Sequence, residues 1–296
     1  MKNIIINSEK ESEKILKTQR FSFRKIGKFI LFIFLSVWAF IQIYPLFWLF
    51  LFSFKNNNEI FGGNIMGLPH KWMVSNYTTA LTSGNVFRYF LNSVIVTGLT
   101  IVISSILIAT ASYAIARMKW KLSKPVLFIF LMGMMIPIQA TVLPLFLILQ
   151  KVNLLNTYFA LIIPYVAFAL PMGIFILTSF MLSIPPELEE AACIDGCNIY
   201  QVFLRIIVPI VRPALATIAI FTYLSSWNEL MFANTFINDD VKKTLTVGIM
   251  SLSGQYSTNW GPIGAGLVLA TVPTIIIYAL LSEQVQQSLV AGAVKG

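Results

Sequence analysis

The chain has 296 residues, of which 57% are hydrophobic and 11% charged, and its net charge is +9 at pH 7. Soluble globular chains carry about 25% charged residues, and so few charges cannot coat a water-facing exterior around one core, which excludes an ordinary soluble enzyme. The positive excess would suit a nucleic acid only if it were gathered on one face of a soluble module.

A membrane-crossing helix needs about 20 mainly apolar residues, and the charge-free stretches supply the predicted elements in order. Residues 1–28 mix Lys, Glu, Asn and Ser and read as a flexible cytosolic tail. No charge falls between Lys28 and Lys55, and the 17 Phe, Leu, Ile and Val from Phe29 to Phe52 predict a first span over 29–53. At about 0.3 kcal/mol each they favour insertion by about 5 kcal/mol. The run is longer than the core of a secretory signal and ends without a small-residue cleavage pattern, so it is expected to stay attached as an anchor. Residues 54–90, rich in Asn and Gly, are expected as an extracytoplasmic loop, in which His70 is a surface residue.

Five further spans are expected within 89–282: Leu91–Ala116, Pro125–Gln150, Phe159–Leu182, Pro213–Phe236 and Trp260–Ser282, followed by a cytosolic tail over 283–296. All are apolar all round, whereas buried helices of a large soluble protein would keep a polar face at the helical period. With the N-terminus inside, fifteen of the 21 basic residues fall on the inner side, as the positive-inside rule requires. The expected fold is thus an all-α integral membrane protein with six transmembrane helices and both termini cytoplasmic. The charge belongs to topology, and nucleic acid drops out as a partner.

Polar residues at membrane depth are costly in lipid and tend to face cavities, which makes Gln139, Thr141, Asn228 and Glu229 the candidates for a solute pathway. Glu229 lies about 24 Å along its helix from Pro213, near the outer interface, and suits structural hydrogen bonding better than solute contact. Pro137, Pro144, Pro164 and Pro171 interrupt helical hydrogen bonding in the third and fourth spans, as kinks or gating elements do. Cys193 and Cys197 are the only cysteines and His70 the only histidine, too few ligands for a zinc site, which takes about four. The chain has no Walker-type phosphate loop, no H-E-x-x-H and no G-x-S-x-G. No catalytic residue, metal or cofactor site is expected, and a multispan membrane enzyme is the poorest reading.

The inner loop Ile184–Pro209 is the informative one. Pro185 and Pro186 suit a helix's first turn, Glu187, Glu189 and Glu190 lie near the positive end of its dipole, and Gly196 can end it in the left-handed conformation. Asn198 can cap a second, amphipathic helix. A short helix, a corner and a returning helix are predicted, with Glu187 and Glu189 on a solvated face.

Within this loop, Glu190-Ala191-Ala192, Gly196 three residues on, then Ile206, Val208 and Pro209 resemble the E-A-A-x3-G-x9-I-x-L-P motif of the membrane subunits of binding-protein-dependent ABC importers. Val208 replaces the usual Leu. Asn76–Leu81, Tyr89–Thr97, Leu155–Tyr158, Ser226–Glu229 and the tail Ala291–Gly296 resemble the carbohydrate branch, and the smaller membrane subunit of maltose-type importers in particular. The resemblance implies a type I ABC importer permease fold in a bacterial plasma membrane. It also implies two copies of a separate ATPase, a second related permease subunit, an extracytoplasmic solute-binding protein and a sugar as cargo. Glu190 would make a charged contact with the ATPase, Ala191 and Ala192 would allow close approach, Asp195 would brace the turn, Gly196 would make the corner, and Ile206 and Pro209 would complete the motif. The same architecture importing a peptide or an amino acid is the alternative.

Overall fold

Apolar segments in lipid leave the backbone no partner but itself, so a chain of this composition has to be built from helices. The computed structural model describes the backbone of residues 2–254 and 258–293, and the side chains of 27–254 and 258–280. Among the described residues it is helical, with one isolated bridge between Ser253 and Thr258. The helices are α1 (Lys2–Phe52), α2 (Asn57–Phe61), α3 (Ser75–Leu81), α4 (Val86–Ala116), α5 (Ser123–Gly133), α6 (Ile138–Lys151) and α7 (Phe159–Met181). They continue with α8 (Glu187–Ile194), α9 (Ile199–Val202), α10 (Val208–Ile210), α11 (Arg212–Trp227), α12 (Met231–Phe236), α13 (Leu245–Ser251) and α14 (Trp260–Ala293).

Among the described residues, four segments are long and apolar enough to cross a membrane: Gly27–Phe52, Val86–Ala116, Phe159–Met181 and Trp260–Leu280. Two bent pairs, α5 with α6 at 98° and Ile199–Ile210 with α11 at 73°, bring the number to six if each counts as one span. Three expectations change. Residues 2–28, read as a flexible tail, are helical and continuous with the first span. The third span is two helices rather than one, because Pro137 has no N–H to donate and holds its predecessor out of the helical region; Pro137 precedes α6 in an extended conformation. The fifth ends at Trp227 and resumes at Met231, so it is interrupted at 228–230. Pro144, Pro164 and Pro171 lie inside unbroken helices. Of the tail Ala291–Gly296, residues 294–296 lie outside the described residues, as do all its side chains.

The interior is organised around α4 against α7. At Gly173 the two helices approach so closely that a Cβ would lie 2.2 Å from Ile108 Cδ1, so any larger residue would force the Ile108 side chain to shift. One apolar cluster joins Ile108 and Tyr113 of α4, Ile174 and Leu177 of α7, Ala192 of α8 and Ile207 just before α10. A second joins Val96, Leu161 and Tyr165 to Phe232 and Phe236 of α12, and a third joins Tyr89 to Trp227, Leu245 and Ile263. The loop expected to be extracytoplasmic folds around Lys55, which is 0% exposed. Its ammonium donates to the carbonyls of Asn64 at 2.5 Å, Ile65 at 3.2 Å and Gly67 at 2.6 Å, satisfying a buried cation with backbone dipoles.

Candidate functional site

The segment Ile184–Pro209 forms the predicted corner between two helices, an elbow set by local hydrogen bonds. Gly196 has φ +85°; its N–H donates to Cys193 O at 3.1 Å, and the Cys197 N–H donates to Ala192 O at 2.9 Å. That pair of bonds is a Schellman motif, which needs a left-handed residue at this position. The next helix starts with a capping box. Asn198 accepts from the Gln201 N–H at 3.0 Å, and Gln201 accepts from the Asn198 N–H at 2.9 Å, satisfying two otherwise orphaned donors. Asp195 is the C-cap of α8 through its backbone and is itself exposed.

Beyond α9 the chain passes through a π-helical turn, Phe203–Ile207. Pro209 cannot donate to the preceding turn, and the π turn changes the hydrogen-bond register just before it, with Val208 N–H bonded to Phe203 O. Ile207 is buried and Ile206 is partly buried against the same cluster, while Pro209 is exposed.

The two alanines of the motif face different ways. Ala191 is exposed beside Glu190, but Ala192 is 5% exposed and packs in the chain's own core. It is therefore turned into the chain's own interior and is not offered to an outside partner. The elbow also presents apolar side chains to the outside, with Ile194 86% and Tyr200 75% exposed.

Glu189 departs most from expectation. It forms an ion pair with Arg117 and accepts from the Tyr113 hydroxyl at 3.2 Å. Arg117 also donates to the carbonyls of Ile184 at 2.9 Å and Met181 at 3.3 Å. The pair is 72 residues apart in sequence, and neither side chain lies on a solvated face.

At the fifth-span interruption the carboxylate of Glu229 accepts from the Phe232 N–H at 2.7 Å, the Ala233 N–H at 3.0 Å and the Tyr165 hydroxyl at 2.6 Å. It thereby caps the first turn of α12 and ties it to α7. Glu229 also borders a cavity of about 300 Å³ lined by Tyr165, Phe168, Met172, Phe221 and Ser225 among others. The other three candidates do not line it. Gln139 is exposed, Thr141 donates to Ile138 O and Asn228 to Leu224 O within their own helical turns. Sequence reasoning missed Tyr165, Ser225 and Ser226; the two serines satisfied the same rule of polarity at depth and could have been found by it.

At the opposite end of α4, Asn92 donates to the carbonyls of Val241 at 2.9 Å and Lys243 at 2.8 Å and accepts from the Tyr158 hydroxyl at 2.8 Å. Ser93 accepts from the Leu245 N–H at 2.8 Å. Asp240 accepts from Tyr89 at 3.0 Å and pairs with Lys243 at 3.0 Å; the Lys243 ammonium, aided by Tyr89, holds its carboxyl below the usual value of 3.8.

Comparison with known proteins agrees with this arrangement. The family described as "Binding-protein-dependent transport system inner membrane component" matches residues 105–291. A putative ABC transporter permease protein of Caldicellulosiruptor sp. is 39% identical over 275 residues, covering 93% of this chain and 100% of that one. The diacetylchitobiose uptake system permease protein NgcG of Streptomyces coelicolor is 35% identical over 260 residues, 87% of this chain and 86% of that one. The fold is shared with a subunit of a bacterial ABC transporter that imports alginate, at a TM-score of 0.76 and 24% identity, covering 88% of this chain and 96% of that one. An elbow with the E-A-A spacing, set among apolar spans, thus lies in a sequence matched well beyond that motif, and the chain belongs to the family of binding-protein-dependent transport system inner membrane components.

Proposed function

We propose that this chain is one of two related permease subunits of a bacterial plasma-membrane ABC importer, and that it carries a sugar, an oligosaccharide best of all, into the cytoplasm. The observation that carries the reading is the elbow. It is fixed internally by a Schellman corner and a capping box, yet it turns Glu190, Ile194 and Tyr200 outward, a polar and apolar surface suited to a protein partner. Two ATPase subunits dock on this elbow and its counterpart, and their closure on nucleotide displaces it. A partner that gripped both states of the pathway equally would shift nothing, so the elbow has to sit differently on the ATPase in the two states. An extracytoplasmic solute-binding protein delivers the sugar at the other face.

Within the membrane, the cavity beside Glu229 forms part of the solute path on this subunit's side. Its aromatic walls suit the apolar faces of sugar rings, and its hydroxyl groups suit their edges. Glu229 itself is occupied in capping α12. The sugar assignment leans on relatives such as the diacetylchitobiose permease. Uptake of labelled oligosaccharides, amino acids and peptides by cells with and without this chain tests it. The expected result is loss of one oligosaccharide alone; loss of amino acid or peptide uptake with sugars unaffected would replace the cargo.

A further inference from the structure

The ion pair between Arg117 and Glu189 has no place in the motif, yet it stands where three helices end. Arg117 is the C-cap of α4, and its guanidinium donates to the carbonyls of Met181, in the last turn of α7, and of Ile184 just beyond it. Helix C-termini carry partial negative charge, which a cation neutralises. Glu189 lies in the first turn of α8, where partial positive charge favours a carboxylate. The two charges therefore match all three helix dipoles at once, and the planar fork of arginine reaches several acceptors in fixed directions, as lysine cannot.

The pair is also shielded. The side chains are 10% and 18% exposed, so salt screens them less than a surface pair. Tyr113 adds a fourth connection: its hydroxyl donates to Glu189 at 3.2 Å, and its ring lies 5.0 Å from that of Phe203, the first residue of the π turn. Both arms of the elbow thus meet α4 at one point.

From this node α4 runs unbroken to Asn92 and Ser93, a distance of about 37 Å at the helical rise, where those side chains hold the backbone of 241–245. We infer that Arg117, Glu189 and Tyr113 form a latch that makes α8 and α4 move as one body, so that displacement of the elbow reaches the far end of the membrane. They are positioning residues for transport. The inference rests on the docking reading above, and it adds that the first arm of the elbow is locked to α4 while the second contains the register-shifted π turn.

The test uses the whole importer, with its partner permease, ATPase and solute-binding protein, reconstituted in liposomes. Glu189→Gln removes the charge at nearly constant shape, and Arg117→Lys keeps the charge but loses the fork. With the latch, both variants retain the ATPase subunits, and the ratio of solute taken up to ATP hydrolysed falls about tenfold for Glu189→Gln, within the usual range of coupling between two sites. Arg117→Lys falls less. An unchanged ratio in Glu189→Gln with the ATPase still bound overturns the latch, and so does release of the ATPase by Glu189→Gln, since Glu189 would then be part of the docking surface. A failure of docking itself shows separately: Ile194→Cys on the otherwise native chain would not crosslink to the ATPase subunit.

Discussion

Glu189 and Glu229 each stand at the beginning of a helix that follows an interruption, and different chemistry holds them. Glu189 faces a cation at the junction of three helix ends, whereas Glu229 accepts from two backbone N–H groups and a tyrosine hydroxyl. The first arrangement joins separate elements through side chains and gains from their dipoles. The second belongs to the backbone of α12 and moves only if that turn unwinds. The comparison separates two kinds of anchor: at the elbow, side chains tie separate helices together, as transmission of a displacement under the proposed docking would require, and the fifth-span break is a corner fixed beside the cavity.

The largest expected effect breaks the elbow. Gly196→Pro imposes φ of about −65° where the chain needs a positive angle, removes the N–H that bonds Cys193, and costs about 3 kcal/mol locally. Uptake is expected to be lost while membrane levels, read by immunoblot, stay normal; normal uptake by this variant would remove the elbow's role. Next comes the fifth-span corner at Glu229. Glu229→Ala leaves two N–H groups and the Tyr165 hydroxyl without their acceptor, at about 1–3 kcal/mol for each group that stays buried and unpaired. The melting temperature of the detergent-solubilised protein should fall clearly, and Tyr165→Phe should lower it less. An equal fall for the two would mean that capping of α12 contributes little.

A smaller effect is expected at the second arm. Asn198→Ala removes one half of the capping box and should cost about 1 kcal/mol, read as faster proteolysis within the elbow with the spans intact. The smallest lies at the far end of α4. The Asp240 carboxyl is held below 3.8 chiefly by Lys243, so its contribution to stability is present above that unfolded value and is lost as the pH falls through the lower folded value. Lys243→Met should lower melting slightly at neutral pH, where the interaction is present, and flatten the further fall in acid, read as melting temperature against pH.

Much of this arrangement could be read from the residues, because the signals were local. Charge-free length located the membrane segments, and the spacing from Glu190 to Pro209 predicted a corner at Gly196 and a cap at Asn198, both of which depend on bonds within a few residues. What could not be read depended on distant partners. The ion pair of Glu189 lies 72 residues away, so its carboxylate looked like dipole compensation in water. Ala192 looked like a contact surface because nothing local shows that it is buried in the chain's own core. The break at 228–230 was hidden in an apolar run, and only the hydrogen bonds from Phe232, Ala233 and Tyr165 show why Glu229 is there. The 98° bend at Pro137 was half legible: the proline marked an interruption, but its angle depends on the packing of α5 against α7.

The elbow carries its own probe for the central claim, because Cys193 and Cys197 are the chain's only cysteines and Cys193 is exposed. In inside-out vesicles stripped of the ATPase, a membrane-impermeant maleimide is expected to label Cys193, and rebinding the ATPase subunits is expected to protect it. Labelling from the outside of intact cells, or labelling in vesicles that the ATPase leaves unchanged, would contradict an elbow that docks an ATPase on the inner face.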